Sequence, residues 1–501
     1  MSINDDLILN NSTSKYAFNY WFLLKKIFPY IKTVLFRIIL NLGISVPLGM
    51  LDGVVAISLR PYLDYVVNGN AEQSFELLGH TYALQRSLLV MIPIGIVLFA
   101  LIQGILKYFS NYLTDWTGTK MANNLKKDLF NKLTSLDTKF YDVNSSGIIL
   151  NRFLNDPNDA TRQLIDASRT MLITVFELIA LVFVLLFNSW KLAIIGITVM
   201  GIAMVPVTWI RKKIKQVSTD SAVVIGDMMT NLNETFSGNK IITAYNLQER
   251  QNYKFKIQLN NIFDLTLSLT KRVGWLSPVM YAICAVGIAL VMMYGNHLIL
   301  SGQLTAGSFA SFITALLLLY KPVKNVGRTL SELQKTFTAM SRVFELFDLE
   351  PQIVDKENAQ TLKGINNEIE FKNVCFEYTE GAPVLKDISL KITKNEKIAL
   401  VGNSGGGKST FVNLIPRFYD VNSGSISIDG IDIRDLKIES LRQSISFVFQ
   451  DNFLFSGSLR ENILMGKYDA TEEEIERVLE LAHLDEFVKT LPEGIDTYVG
   501  E

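Results

Sequence analysis

Nine consecutive residues, Gly402-Asn403-Ser404-Gly405-Gly406-Gly407-Lys408-Ser409-Thr410, carry the clearest chemistry in this 501-residue chain. Their spacing is G-x-x-x-x-G-K-[ST], the pattern of a loop that cradles phosphates between a strand and a helix. Glycines let backbone N–H groups curl around phosphate oxygens without side-chain clashes. A helix opening at Phe411-Val412-Asn413-Leu414-Ile415 adds its dipole and free N–H groups. Lys408 is expected to neutralise the β- and γ-phosphates of a nucleoside triphosphate, and the Ser409 hydroxyl to ligate Mg²⁺. Just upstream, the apolar run Lys397-Ile398-Ala399-Leu400-Val401 is expected to be a buried strand. That context separates the loop from a glycine-rich turn that binds nothing.

Other residues fit around this loop. Tyr378, in Phe376-Glu377-Tyr378, is placed to stack on an adenine ring, though a Tyr in a strand also serves packing alone. Phe447-Val448-Phe449-Gln450 reads as a second apolar strand ending in an amide. Gln450 is expected to reach the metal or the attacking water; a structural loop amide is the other reading. Gly424–Gly430 alternates like a strand and ends in an Asp-Gly turn.

Ahead of these elements the composition changes. Apolar residues make up 49% of the chain and charged residues 19%, which excludes a disordered or uniformly soluble protein. The net charge of −1 supplies no field for nucleic acid, and two cysteines, Cys284 and Cys375, cannot build a disulfide framework. The start, Met1-Ser2-Ile3-Asn4-Asp5-Asp6, shows no cleaved signal peptide. Ser87–Leu106, Leu192–Ile210, Val273–Leu300 and Leu304–Tyr320 contain no Asp, Glu, Lys or Arg. Thr33–Leu59 and Met171–Phe187 carry isolated charges, among them Asp52 and Glu177. Each stretch has about the length that crosses a hydrocarbon layer as a helix, giving six expected spans. Charges inside spans mark substrate contacts by default. Two readings stand for Asp52 and Glu177, cargo recognition or structural pairing.

The loops set the expected orientation. Pro61–Gln85 and His297–Ala306 lack Lys and Arg, whereas Ser110–Leu164 and Arg211–Arg272 are rich in both. Basic residues stay cytoplasmic, so both termini and both long loops are expected inside. The long loops read as helical arms, the first turning near Asn155–Asp159 with Asp156 as N-cap and Pro157 as first helical residue, the second near Gly238-Asn239-Lys240. Residues 1–32 are expected to include a helix lying in the membrane interface, 33–345 to form the membrane domain, 346–367 a linker, and 368–501 a soluble α/β domain.

With these motifs in place, the sequence resembles the ATP-binding cassette (ABC) exporters in their half-transporter arrangement. Beyond the Gly402–Thr410 loop, the resemblance rests on Tyr378, on Gln450 followed by Leu454–Ile463, and on Phe140-Tyr141-Asp142 through Gly147 to Asn151-Arg152 in the first arm. Leu59-Arg60-Pro61-Tyr62-Leu63-Asp64 is most similar to the lipid A export members. The resemblance implies an all-α six-helix transmembrane domain with long cytoplasmic arms, followed by part of an α/β P-loop nucleotide-binding domain. It implies ATP and Mg²⁺ as cofactors, arm tips that dock on the nucleotide domains, a second copy or a paired half-transporter as partner, and a multi-pass protein of the inner membrane. The implied activity is ATP-driven export or flipping of an amphipathic or hydrophobic cargo. Lipid A exporters hold phosphorylated sugars with basic side chains, and here Gln103 stands at the matching place, with Lys107 and Arg37 nearby. That substitution widens the cargo to other lipids, peptides or drugs.

The family's remaining ATPase parts do not follow Gln450. No L-S-G-G-Q signature, apolar strand ending in Asp-Glu or switch histidine is found; Leu300-Ser301-Gly302-Gln303 lacks one glycine, and Leu484-Asp485-Glu486 reads as a helix face. The chain is therefore expected to be truncated before the signature and to turn over little ATP alone. The alternative is a non-hydrolysing membrane protein whose nucleotide domain only binds ATP or mediates assembly.

Overall fold

The computed structural model describes residues 19–68, 74–77, 80–83, 88–450 and 453–500. Two compact units emerge. Among the described residues, 19–136 and 143–350 make the larger; 137–142 and 351–500 make the smaller.

The larger unit is helical because its apolar stretches have no polar face, and a helix satisfies its own backbone where water is excluded. It runs α1 (Tyr20–Lys32), α2 (Leu35–Asn68), a hairpin of β1 (Ser74–Leu77) and β2 (His80–Ala83), α3 (Leu88–Thr134), α4 (Thr138–Val143), α5 (Ser146–Leu154), α6 (Asp156–Asn188), α7 (Trp190–Ser237), α8 (Asn239–Ala244), α9 (Gln248–Gly274), α10 (Leu276–Leu300) and α11 (Ala306–Asp348). α4 lies on the boundary, most of it in the smaller unit. Among the described residues, five apolar segments, in α2, α3, α6, α10 and α11, are long enough to cross a membrane. The expected span Leu192–Ile210 opens α7, where Trp190–Ile202 forms a shorter apolar helix; residues 203–204 and 207–210 lie outside the described side chains. On α3, Val90, Met91, Ile94, Val97, Leu98 and Leu101 are all exposed, a belt suited to lipid and not to water.

Packing among these helices depends on small residues as well as bulk. Ala56, Leu181, Leu185, Leu192, Val291, Phe312 and Ala315 form a buried cluster. Gly49 and Gly53 press α2 against α6: a Cβ on Gly49 would meet the Ile173 carbonyl at 2.5 Å, and one on Gly53 would meet the Ala180 Cβ at 2.8 Å. Two glycines four apart give the close approach that holds helices together in lipid, where apolar burial alone offers little drive. At one end of the bundle, Asp64 accepts from the Thr305 hydroxyl at 2.9 Å and the Gly307 N–H at 2.7 Å, binding α2 to the first turn of α11. Asp64→Ala is expected to cost about 1–2 kcal/mol through lost capping, read as a lower thermal midpoint of the detergent-solubilised protein. An unchanged midpoint would show the cap to be dispensable.

The first arm differs from its expected outline. α3 continues to Thr134, the tip is the stretch around α4, and only Asn155 separates α5 from α6. Asn155–Asp159 is thus not the turn, and Asp156 is the first helical residue, not the cap, with Pro157 one position later. The buried Asp156 carboxylate is drawn elsewhere: Arg342 of α11 grips it with Nε–Oδ2 at 2.8 Å and Nη2–Oδ1 at 2.5 Å. Beside them Arg152, 2% exposed, lies 3.5 Å from Glu345. The second arm reverses as expected, with α7 ending before Gly238 and α8 starting at Asn239. α1 buries Leu23 and Ile27, pairs Lys26 with Asp348 and leaves Trp21 and Phe28 exposed.

The smaller unit is built on an antiparallel sheet ordered β4-β3-β5-β6, from β3 (Glu368–Glu377), β4 (Pro383–Thr393), β5 (Ser423–Ile428) and β6 (Ile431–Asp432). Asp429 and Gly430, with φ of 51° and 83°, make the expected tight turn between β5 and β6. α12 (Lys408–Leu414) and α13 (Ile438–Gln443) complete its core of Phe371, Val374, Phe376, Leu385, Phe411, Leu414 and Ile426. A short pair, β7 (Gly457–Ser458) with β8 (Tyr498–Val499), frames α14 (Leu459–Leu464), α15 (Glu472–Leu481) and α16 (Asp485–Thr490).

Two expected strands are absent from this sheet. Residues 397–401 and 447–450 are irregular, and Val401 and Val448 are 93% and 89% exposed. A central strand of an α/β sheet needs a ladder on its edges and cover on its faces. None of the described strands pairs with either run, so both stay extended and open.

Candidate nucleotide site and a polar cluster in the helical bundle

The glycine loop is already shaped for an anion. Gly405 and Gly407 both have φ of +80°, which only glycine adopts freely. Gly407 is packed as well, since a Cβ there would meet the Leu385 side chain at 2.9 Å. Among the described residues, the backbone N–H groups of Gly407, Lys408 and Ser409 have no protein acceptor. They form a set of donors at the mouth of α12, the arrangement that receives phosphate oxygens. Lys408 Nζ meanwhile donates to the carbonyls of Gly402 at 2.9 Å and Asn403 at 2.7 Å. The ammonium therefore lies across the loop that carries it. Ser409 is exposed at the start of the helix, and Asn403, Ser404 and Gly406 complete the open rim. An exposed hydroxyl beside uncommitted N–H groups fits a Mg²⁺-bound triphosphate.

Aromatic residues flank the helix. The Tyr378 hydroxyl donates to Thr410 Oγ1 at 3.1 Å, which joins the end of β3 to α12. Edge-on contacts with Phe376 at 4.9 Å and Tyr419 at 5.2 Å fix the ring. The buried Tyr419 in turn donates its hydroxyl to Asp142. Burial first, and the Asp142 carboxylate second, push this phenol well above its ordinary pKa, so it remains the donor. Asp137 accepts from the backbone N–H groups of Gln352 and Ile353, at 2.5 and 3.3 Å. Both carboxylates belong to the short 137–142 segment that clusters with this unit. In the sequence Asp142 stands out only as part of the Phe140-Tyr141-Asp142 motif, and Tyr419 not at all. A buried Tyr next to the loop was the available signal, but nothing local named its partner 277 positions away. Gln450 ends the open run 447–450 and is exposed; among the described residues it makes no hydrogen bond to the loop.

Inside the helical unit, the structure brings together three residues that the sequence had placed on separate spans. Gln103 of α3 donates its amide to Asp52 Oδ1 of α2 at 3.2 Å. The Glu177 carboxyl of α6 lies within hydrogen-bonding reach of Asp52, and Lys321 of α11 acts on it electrostatically. Glu177 is 5% exposed, and its Oε1 has no hydrogen-bond partner.

A phosphate-cradling loop in a chain with several membrane-length apolar helices is the combination of a nucleotide-binding membrane protein. Residues 38–323 match the family described as ABC transporter transmembrane region, and residues 385–498 match ABC transporter. The chain belongs to the ABC transporter family, as a multi-pass membrane protein with an ATP-binding domain. It is 36% identical over 454 residues to an ATP-dependent lipid A-core flippase of Syntrophus aciditrophicus, covering 90% of this chain and 73% of that protein. It is 33% identical over 414 residues to the flippase of the same name from Desulfotalea psychrophila, covering 82% and 72%. A Bacillus subtilis relative, 29% identical with 94% and 80% covered, bears the provisional name of multidrug export ATP-binding/permease protein.

Proposed function

We propose that the protein uses ATP to export or flip an amphipathic or hydrophobic substrate across the cytoplasmic (inner) membrane, working as a dimer with a second copy or a paired half-transporter. The cargo is a lipid such as lipid A, a drug or a peptide. Both termini and the nucleotide domain face the cytoplasm. The observation that carries this reading is the anion-shaped loop with Lys408 laid across it, in a chain whose other unit is a bundle of apolar helices.

In this reading Gly402–Thr410 hold the phosphates, and Tyr378 stacks on the adenine. Ser409 and Gln450 ligate Mg²⁺, and Gln450 also orients the attacking water. The metal neutralises phosphate charge; the chain's own residues orient the nucleotide and hold the water. Asp52, Gln103 and Glu177 touch the cargo. Tyr378→Ala is expected to weaken ATP binding about tenfold, as loss of one stacked base does, while Tyr378→Trp keeps it. Equal affinity of all three proteins in a fluorescent-nucleotide displacement assay would remove Tyr378 from the site.

The reading as a whole is tested by ATP-dependent movement of labelled lipid A and of a hydrophobic dye in vesicles. Movement of neither would overturn it. One observation favours a second reading, in which the domain holds ATP without turning it over: the two apolar runs beside the loop pair with none of the described strands. Binding without hydrolysis in the same vesicles would select that reading.

A further inference from the structure

We infer that Asp52, Gln103 and Glu177 form a seat for the cationic head of an amphiphile, an ammonium or guanidinium. This inference rests on the exporter reading and narrows its cargo.

The chemistry of the seat is one-sided. It holds two carboxyls from two different helices, and the Gln103 amide already commits one of its two N–H groups to Asp52. Glu177 Oε1 is buried and unpartnered. A buried acceptor with nothing to accept costs roughly 1–3 kcal/mol, and a buried charge costs more. Lys321 is the opposite charge that acts on Glu177, yet it is exposed and makes no ion pair with Asp52 or Glu177 among the described residues. The site therefore presents more spare acceptors than donors, the second Gln103 N–H being the one donor left over among these three side chains. A ligand complementary to it brings positive charge and N–H groups. A phosphorylated head would meet like charge, with a single amide N–H of Gln103 to set against it. The seat is also rigid: Gly49 and Gly53 flank Asp52 on α2 and hold it against α6 at backbone contact.

Three amphiphiles with one tail test this. Dodecylammonium, dodecanol and dodecyl phosphate are titrated onto the full chain in phosphatidylcholine nanodiscs, with empty discs subtracted. Dodecylammonium is expected to bind about tenfold tighter than dodecanol, equivalent to about 1.4 kcal/mol, and dodecyl phosphate no tighter than dodecanol. Glu177→Gln and Asp52→Asn should each abolish the ammonium advantage, and Lys321→Gln should enlarge it. Thermal midpoints of the variants guard against misfolding, and the Lys321 variant leaves the carboxyls intact.

Equal binding of the three amphiphiles would overturn the inference, as would a preference for the phosphate or an ammonium advantage that survives both carboxyl substitutions. The exporter reading would stand in each case if vesicle transport persists. Loss of all amphiphile binding together with loss of transport would remove both.

Discussion

Replacing Lys408 with Ala is expected to lower the affinity for Mg·ATP about a hundredfold, since charge-assisted hydrogen bonds to phosphate contribute roughly 1.5–3 kcal/mol. The fold should not suffer. Lys408 Nζ contacts only the carbonyls of its own loop, Gly402 and Asn403, and the aliphatic stem is not part of the buried core. The effect therefore belongs to the ligand and not to the scaffold. Binding also has an exchange built into it: the ammonium must leave two carbonyls before it meets phosphate. Lys408→Arg is expected to fail nearly as badly, because a planar fork cannot replace a compact point charge inside so tight a loop. Displacement of a fluorescent ATP analogue measures this. An Ala variant within threefold of the parent protein would show that the loop does not grip phosphate through Lys408.

Arg342→Met is expected to destabilise the helical unit by about 3–5 kcal/mol, the usual cost of leaving a buried charge without its partner. The Asp156 side chain is 3% exposed and is held by the Arg342 fork. Arg152 and Glu345 stand in the same cluster, and the nearby Asp156 and Glu345 charges act on both arginines. Removing one cation therefore unbalances a set of four. The companion variant Arg342→Met with Asp156→Leu replaces the pair with apolar groups and should recover most of the loss. Thermal unfolding followed by near-ultraviolet circular dichroism distinguishes the cases. Equal midpoints for the single and double variants would show that the ion pair is not what holds α11 to α6.

The contrast between these sites shows what a sequence makes legible. The phosphate loop is local: nine neighbouring residues contain the glycines, the cation and the hydroxyl, and the structure gives them the expected turn. The spans are legible for a similar reason, because apolar length needs no partner to be recognised. Asp156 shows the limit. Its Asp-Pro context reads as a helix start, and α6 does start there, but the carboxylate is used by an arginine 186 positions away and not by the local backbone. Long-range pairing also hid Tyr419 with Asp142. The β1–β2 hairpin is hard to read from sequence because its two strands are only four residues each beside the long spans around them. For Lys397–Val401 the composition reads as strand, yet a strand is a property of its neighbours, and none of the described strands offers it a ladder. Asp52, Gln103 and Glu177 were each visible as anomalies in apolar stretches. Their convergence depends on how α2, α3 and α6 pack.

The open runs at 397–401 and 447–450 have a practical consequence for handling this polypeptide. Lys397–Val401 carries the β-branched Ile398 and Val401, Phe447–Gln450 carries Val448 between two aromatic rings, neither run pairs with a described strand, and neither contains a proline. Segments of that kind template cross-chain pairing. At high concentration the soluble part should self-associate through them, and a lysine placed at Val401 or Val448, where the side chain already faces solvent, should act as a gatekeeper that keeps the polypeptide dispersed.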